Sequence, residues 1–380
     1  MGVACITDWD ELAGLAGHWN ALARGVPFRS WCWLAAWWRH YGQSARNARR
    51  RLFVLAAYDD DRRLIGLAPW YVESHAGGRE VVRFLGSGDV CSDYLSILAL
   101  PGREKEVAVA LAGWLCGGST SPDCEWSTLL LSGVDADDAV TRHFVSAIEA
   151  HGSLVLREPG QNCWRIALPA TWDGYLATLS KSHRKQLRRL QRRLFDTGRA
   201  TLRLVRDEAD LQQGLSILAD LHTRRRKALG QPGRFASRQF AAFHQDAARQ
   251  LLGQGNLRLA WVEVDGRPLA AEYQVTGNDV VYAYQSGIDP SALDVEPGRL
   301  VTMATLRRAI EEGYRAFDLL RGDEPYKSHW RAQPRPSMQI RILPGRGADW
   351  LRHGAWVAGQ QVRAWVKAGW SLAASLPAPT

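Results

Sequence analysis

The stretch FDLLRGDEPYKSHW, from Phe317 to Trp330, sets acids, a phenol and a primary amine just past an apolar run. Such residue types suit proton transfer and charge stabilisation, and a group transfer that uses them makes three demands. The nucleophile must lose a proton, an oxyanion must be stabilised, and the leaving group must be protonated. The stretch holds a candidate for each. Asp323 or Asp318 can act as base or orient an acceptor, Lys327 can meet an oxyanion, and Tyr326 can donate a proton to a leaving group. Each also has a plainer reading. Asp318, inside a strand, can serve neighbouring backbone; Tyr326 can be a packing anchor; Glu324 can be a solvated turn residue. Lys327 follows Pro325 beyond the strand end, so a surface position is expected. A solvent-facing cation gains little for folding, which favours a chemical use.

No competing constellation stands out. The chain has no GxSxG and no HExxH, and its ten histidines are scattered. Its six cysteines show no CxxC spacing, so they read as reduced, buried thiols rather than metal ligands or a disulfide framework.

Two sets of elements must position these residues. In the first half, DWDELAGLAGHWNALA is a helix capped by Asp8, and SWCWLAAWWRHYG a second helix capped by Ser30. RLFVLAAY and LIGLAPWYV form a hairpin around an acidic turn. VVRFLGSGDVCSDYLSILAL holds two short strands about a Gly-rich loop. A helix (EKEVAVALAGWLC), a strand (WSTLLLSGV) and another helix ending at Gly152 complete it. The second half repeats the layout: two helices, a three-stranded meander with an Asp265-Gly266 turn, a helix from Arg299, and the strand YRAFDLL. The fold class is therefore α/β (α+β), two lobes of one topology, each a mixed, mostly antiparallel sheet flanked by helices. The expected divisions are 1–165, 166–345 opening with a basic helix, and a Trp-rich helical tail at 346–380.

At 380 residues the chain exceeds one ordinary core, which agrees with two lobes. A formal charge of +9 favours phosphates, nucleic acid, anionic lipid or acidic carrier proteins as partners, without choosing among them. No run is long and apolar enough to span a membrane, and the first residues lack the pattern of a secretory leader. The expected location is cytoplasmic, with peripheral contact at the inner face of the membrane as an option.

Between the meander and YRAFDLL lies DVEPGRL. A glycine at a helix entrance bares backbone N–H groups at the positive end of the helix, which is a pyrophosphate cradle; Pro297-Gly298 also reads as a simple helix start. With this stretch, the chain resembles the GNAT acyltransferase superfamily. More narrowly it resembles a bacterial CelD/BcsL-like branch linked to cellulose and exopolysaccharide biosynthesis, itself similar to the tandem-GNAT FemAB transferases. PFRSWCWLAAWW, RFLGSGDVCSDYL, LSKSHRKQLRRLQRRL, RPLAAEYQV, YQSGIDPSALDVEPGRL and FDLLRGDEPYKSHW carry the resemblance, the last most specifically.

The resemblance implies two lobes facing a cleft and an acyl-CoA donor, acetyl-CoA foremost, with no tightly bound cofactor. It implies a donor held between VVYAYQSG, with Tyr284, and YRAFDLL, its pyrophosphate at Gly298, Arg299 and Leu300. It also points to Lys327 for the oxyanion and Tyr326 for the thiolate. The chain departs from the superfamily's (Q/R)xxGxG/A loop, having one glycine there. The implied acceptor is a glycan or nucleotide-sugar precursor of the cell envelope. Alternatives are an acyl carrier donor, a Fem-like transfer from aminoacyl-tRNA, and a non-catalytic glycan-binding scaffold.

The helix SKSHRKQLRRLQRRLFDTG sets His183, Leu187, Leu190 and Leu194 on one edge and cations on the rest. Arg184, Lys185 and Arg188 are the substrate-binding candidates, since so many like charges repel unless an anion joins them. A solvated face is the alternative, and no sustained heptads extend the helix into a tRNA-binding arm. The tail suits either a membrane surface or a cover for the protein's own core.

Overall fold

A computed structural model describes residues 1–42, 49–75, 79–117 and 126–345. The tail beyond 345 and Cys124 lie outside the described residues. The first half runs β1 (Gly2–Ile6), α1 (Trp9–Ala13), α2 (Ala16–Ala23), α3 (Trp31–Tyr41), β2 (Arg49–Leu52), β3 (Val54–Tyr58), β4 (Leu64–Ala68) and β5 (Trp70–His75). It continues through β6 (Arg79–Phe84), β7 (Leu98–Ala99), α4 (Glu104–Cys116), β8 (Thr128–Asp135), α5 (Ala139–Ala150) and β9 (Leu154–Pro159). The second half runs β10 (Cys163–Ala167), α6 (Trp172–Thr178), α7 (Lys181–Leu190), β11 (Ala200–Leu204), α8 (Glu208–Ala228), α9 (Arg238–Gly253), β12 (Leu257–Val264) and β13 (Arg267–Gly277). It ends with β14 (Val280–Ile288), α10 (Pro297–Glu311), β15 (Ala316–Arg321), α11 (Tyr326–His329), β16 (Gln333–Arg335) and β17 (Ser337–Leu343).

Local chemistry explains most boundaries. Asp8, Ser30, Ser180, Asp207 and Ser237 each accept a backbone N–H at a helix start. Asp265 and Gly266 both take positive φ, the conformation that a two-residue turn between β12 and β13 demands. The helix expected over residues 8–23 is broken: Gly14 ends α1 with its N–H on Asp10, and α2 starts afresh at Ala16.

The halves share one plan. In the first, β6 pairs in parallel with β8 after a crossover through α4; in the second, β14 pairs in parallel with β15 after a crossover through α10. Sheet order is β2-β5-β6-β8-β17-β9 in the first lobe, beside a smaller sheet β1-β3-β4-β7, and β11-β12-β13-β14-β15-β10-β16 in the second. The lobes exchange strands. β10, which follows β9, inserts between β15 and β16, and β17, which follows β16, inserts between β8 and β9. The division expected at residue 165 falls inside β10, and residues 337–343 belong to the first lobe's sheet.

Two apolar clusters sandwich the second lobe's sheet. One joins the first lobe to α8 and α9, with Trp33 of α3 edge-on to Phe243 of α9. The other packs α6, α7 and α10 on the opposite face, through Leu176, Leu187, Leu300 and Phe317. No helix among the described residues is long and apolar enough to cross a membrane.

Candidate active site

β14 and β15 stay together for three residue pairs, Val280 with Ala316, Val281 with Phe317 and Tyr282 with Asp318, and then diverge. On the other edge of β14 the register with β13 skips at Tyr284, a bulge that bends the strand away. A cavity of about 750 Å³ opens at this divergence. Its walls are residues 283–288 of β14, Leu319 to Gly322 after the divergence, the start of α10, the end of α8, and Cys91, Asp93 and Gln161 from the first lobe.

At one end stands α10. Its first residue, Pro297, suits a helix start, and no side chain caps it. Gly298 and Arg299 face the cavity, and Arg299 is ion-paired to Glu296. Leu300, expected beside them, is fully buried in the core instead, with its N–H on the carbonyl of Glu296. Tyr284 lines the cavity, and its hydroxyl donates to the carbonyl of Val90, tying β14 to the first lobe. Burial pushes that phenol well above its ordinary range.

The FDLLRGDEPYKSHW segment closes the other side, where the structure corrects two expectations. Lys327 is 2% exposed rather than solvent-facing. Its ammonium donates to the carbonyls of Leu320 (3.0 Å), Arg321 (2.9 Å) and Gly322 (2.9 Å), and Glu324 lies 3.1 Å away. An ammonium has three protons, so this one has none left for an oxyanion. Asp318 does not reach the cavity. Its carboxylate accepts from Tyr94 (2.6 Å), Arg165 (2.8 Å) and the N–H of Leu320 (2.8 Å). Asp323 accepts from Asn162 and Trp164, both at 3.0 Å, and so anchors the loop to the chain around β10. Tyr326 does face the cavity, with about half its surface exposed. Burial, then the charges of Glu324 and Glu272, raise its phenol, which stays protonated at neutral pH.

The basic candidates lie elsewhere. Arg184, Lys185 and Arg188 sit on α7, whose buried edge is His183, Leu187 and Leu190. Of α7, only His183 reaches the cavity, while Arg188 borders a shallow outer hollow with Trp172 and Arg192.

Sequence reasoning missed Glu272. It lies on β13, is 5% exposed, and lines the cavity. One oxygen, Oε2, accepts from Thr305 (2.8 Å) and Gln274 (2.6 Å). Oε1 meets no donor among the described residues. Burial raises its carboxyl above the ordinary glutamate range. The available signal was a lone acid in the apolar strand RPLAAEYQV, where an unpaired charge is costly unless used. Also missed was the pairing of Arg321 with Asp93, which joins the end of β15 to the first lobe.

Known proteins share this fold. Residues 181–328 match the family described as "Acetyltransferase (GNAT) domain". The whole chain is similar in fold to the crystal structure of FemX, with a TM-score of 0.62, 12% identity, and coverage of 90% of this chain and 97% of that one. It is similar to a conserved protein of unknown function from Bacteroides thetaiotaomicron (TM-score 0.53, 12% identity, 90% of this chain and 100% of that one). It is also similar to the C-terminal domain of a putative lysylphosphatidylglycerol synthetase from Agrobacterium fabrum (TM-score 0.52, 11% identity, 89% and 93%). No curated protein sequence matches the chain. The diverging parallel strands, the bulge and the crossover helix fall within the matched segment, and the first lobe repeats the same crossover: residues 181–328 match a GNAT domain, in a chain whose two lobes share one plan and whose overall fold is similar to that of FemX.

Proposed function

We propose that this protein is an acyltransferase moving an acyl group, acetyl foremost, from a CoA-type thioester to an amine or hydroxyl of a cell-envelope or exopolysaccharide precursor. The carrying observation is the divergence of β14 from β15 with the uncapped start of α10 at its mouth. Past Tyr282 the edge of β14 facing β15 has no strand partner, so apart from the Ser286 carbonyl, which accepts from His222, its backbone groups suit an extended amide-bearing chain bound as an added strand would be. The bare N–H groups at Gly298, with Arg299, suit the donor's pyrophosphate.

In this reading the roles of base and acid go to cavity residues. Glu272 takes a proton from the acceptor through Oε1, directly or by way of one water, as the acceptor attacks the thioester carbonyl. Tyr326 returns a proton to the departing thiolate. Burial raises the Glu272 carboxyl above the ordinary glutamate range and so strengthens it as a proton acceptor. Asp318, Asp323 and Lys327 shape the strand end that carries Tyr326. The envelope setting rests on the resemblance of FDLLRGDEPYKSHW and its companion motifs.

Titration of the full chain with coenzyme A, followed by calorimetry, tests the donor. Micromolar binding is expected, weakened about tenfold by Arg299→Ala, the size of one lost charge-assisted contact. Absence of binding in the wild type overturns the acyl-CoA reading. A second reading, transfer from aminoacyl-tRNA, has one observation in its favour: the exposed cations of α7, including Lys185 and Arg188, face away from the cavity. Loss of activity on ribonuclease treatment of a cell extract would select it.

A further inference from the structure

Arginines reach the cavity from two opposite faces of the second lobe's sheet. Arg299 comes from α10, on the face where Thr305 bonds Glu272 and where Ile288 packs. Arg225 and Arg226 come from the end of α8, and Arg234 from the segment after it, on the face where Tyr273, next to Glu272, meets His244 of α9. A strand alternates faces, so these two groups of cations stand on either side of the opening between β14 and β15.

The second group is held in place. His222 Nδ1 donates to the carbonyl of Ser286 across 3.0 Å. Gly287 allows α8 to press against β14: a Cβ there would lie 2.4 Å from the backbone nitrogen of His222. Arg234 is tied to the first lobe through the carbonyl of Asp89, at 2.7 Å. Arg226 donates to Gln231, at 2.6 Å. None of the three arginines meets a carboxylate within ion-pair distance among the described residues. Their neighbour Arg224, by contrast, is paired to both Asp220 and Asp289. The dipole of α8 accounts for basic residues in its last turn, but not for Arg234, which lies beyond the helix and completes the group.

We infer that Arg225, Arg226 and Arg234 form a subsite for an anionic group carried by the acceptor, phosphate being the group their planar forks suit best. This rests on the acyl-CoA reading, which places the donor's own pyrophosphate on the other face, at α10. The acceptor is then a phosphorylated or phosphodiester-linked amine or alcohol, not a neutral one. Its phosphate is held on the α8 side, with the reacting group directed through the opening toward Glu272.

The test titrates inorganic phosphate into the full chain already saturated with coenzyme A. The wild type is expected to bind phosphate. The Arg225→Ala/Arg226→Ala double variant, and Arg234→Gln on its own, should each lose about tenfold or more in phosphate affinity. Both should bind coenzyme A within about twofold of wild type, which also shows that they fold. No phosphate binding to the saturated wild type, or equal binding by the variants, overturns the subsite. Loss of coenzyme A affinity in the variants also overturns it, because the arginines would then serve the donor. If the wild type binds no coenzyme A, the donor reading fails by itself. Phosphate titrated into the unliganded chain and the same variants then decides the arginines' role.

Discussion

Asp318 and Lys327 grip one residue from two sides. Asp318 Oδ1 accepts the N–H of Leu320 at 2.8 Å, and the ammonium of Lys327 donates to the carbonyl of Leu320 at 3.0 Å. Leu320 has φ +54, a left-handed conformation that a leucine adopts only when its surroundings impose it. The two charged groups hold the irregular end of β15 at the place where it parts from β14, while Arg321 still pairs with Cys163 of β10.

Lys327→Met keeps the bulk of the side chain and removes its donors. It should destabilise the fold by about 3 kcal/mol or more, since three carbonyls and Glu324 lose their partner. Urea unfolding measures this. Unchanged stability with turnover abolished would return Lys327 to the chemistry.

Tyr94→Phe and Asp318→Asn probe the tie between the lobes. Tyr94→Phe should cost about 1–2 kcal/mol, and Asp318→Asn more, because Arg165 keeps a half-buried charge without a counter-ion. The double variant should be less damaged than the sum of the two by about 1 kcal/mol. Full additivity in urea unfolding would show that the hydrogen bond contributes nothing.

Glu272 links activity to pH and trades it against stability. Burial raises its carboxyl, so the folded protein holds this proton more tightly than the unfolded chain does. Its stabilising contribution is complete below the unfolded value and is lost as pH rises through the folded one. Glu272→Gln should therefore be more stable than wild type at neutral pH, with the gap closing as pH falls into the ordinary carboxylate range. Wild-type kcat/KM should rise with pH through the raised value, and the variant should lose about 100-fold or more with that limb. A variant that keeps both the limb and the rate would remove Glu272 from the mechanism.

Tyr326→Phe should leave thermal stability within about 0.5 kcal/mol, since the phenol is half exposed and its hydroxyl meets no partner among the described residues. Turnover should fall about tenfold to 100-fold with coenzyme A affinity kept, the signature of a proton donor used only as the thiolate leaves. A more acidic acyl-thiol leaving group should narrow the deficit. An equal deficit with such a thiol would mark Tyr326 as a wall of the cavity.

Much of the local structure was legible because its causes are local. Caps at Asp8 and Ser30, the Asp265-Gly266 turn, and the spacing of Leu187, Leu190 and Leu194 depend on residues a few positions apart. β10 and β16 were not legible. Cys163 to Ala167 and Gln333 to Arg335 carry no clear alternation of their own, and are strands because each finds a partner edge far away in the chain.

The sequence by itself determined the two-lobed α/β plan, the strands VVYAYQSG and YRAFDLL, and the helix start at Pro297-Gly298. Those features are written as periodicities, caps and residue types. Only the tertiary structure decided which charges are spent on the fold and which are left for a ligand. In one dimension Lys327 and Arg225 are both cations near polar neighbours. In three, three carbonyls of a left-handed strand end consume Lys327, while Arg225 lines the cavity with no carboxylate within ion-pair distance among the described residues. Whether a charge is paired depends on distances between residues remote in sequence, and those distances exist only once the strands have been exchanged and the lobes have closed on one another.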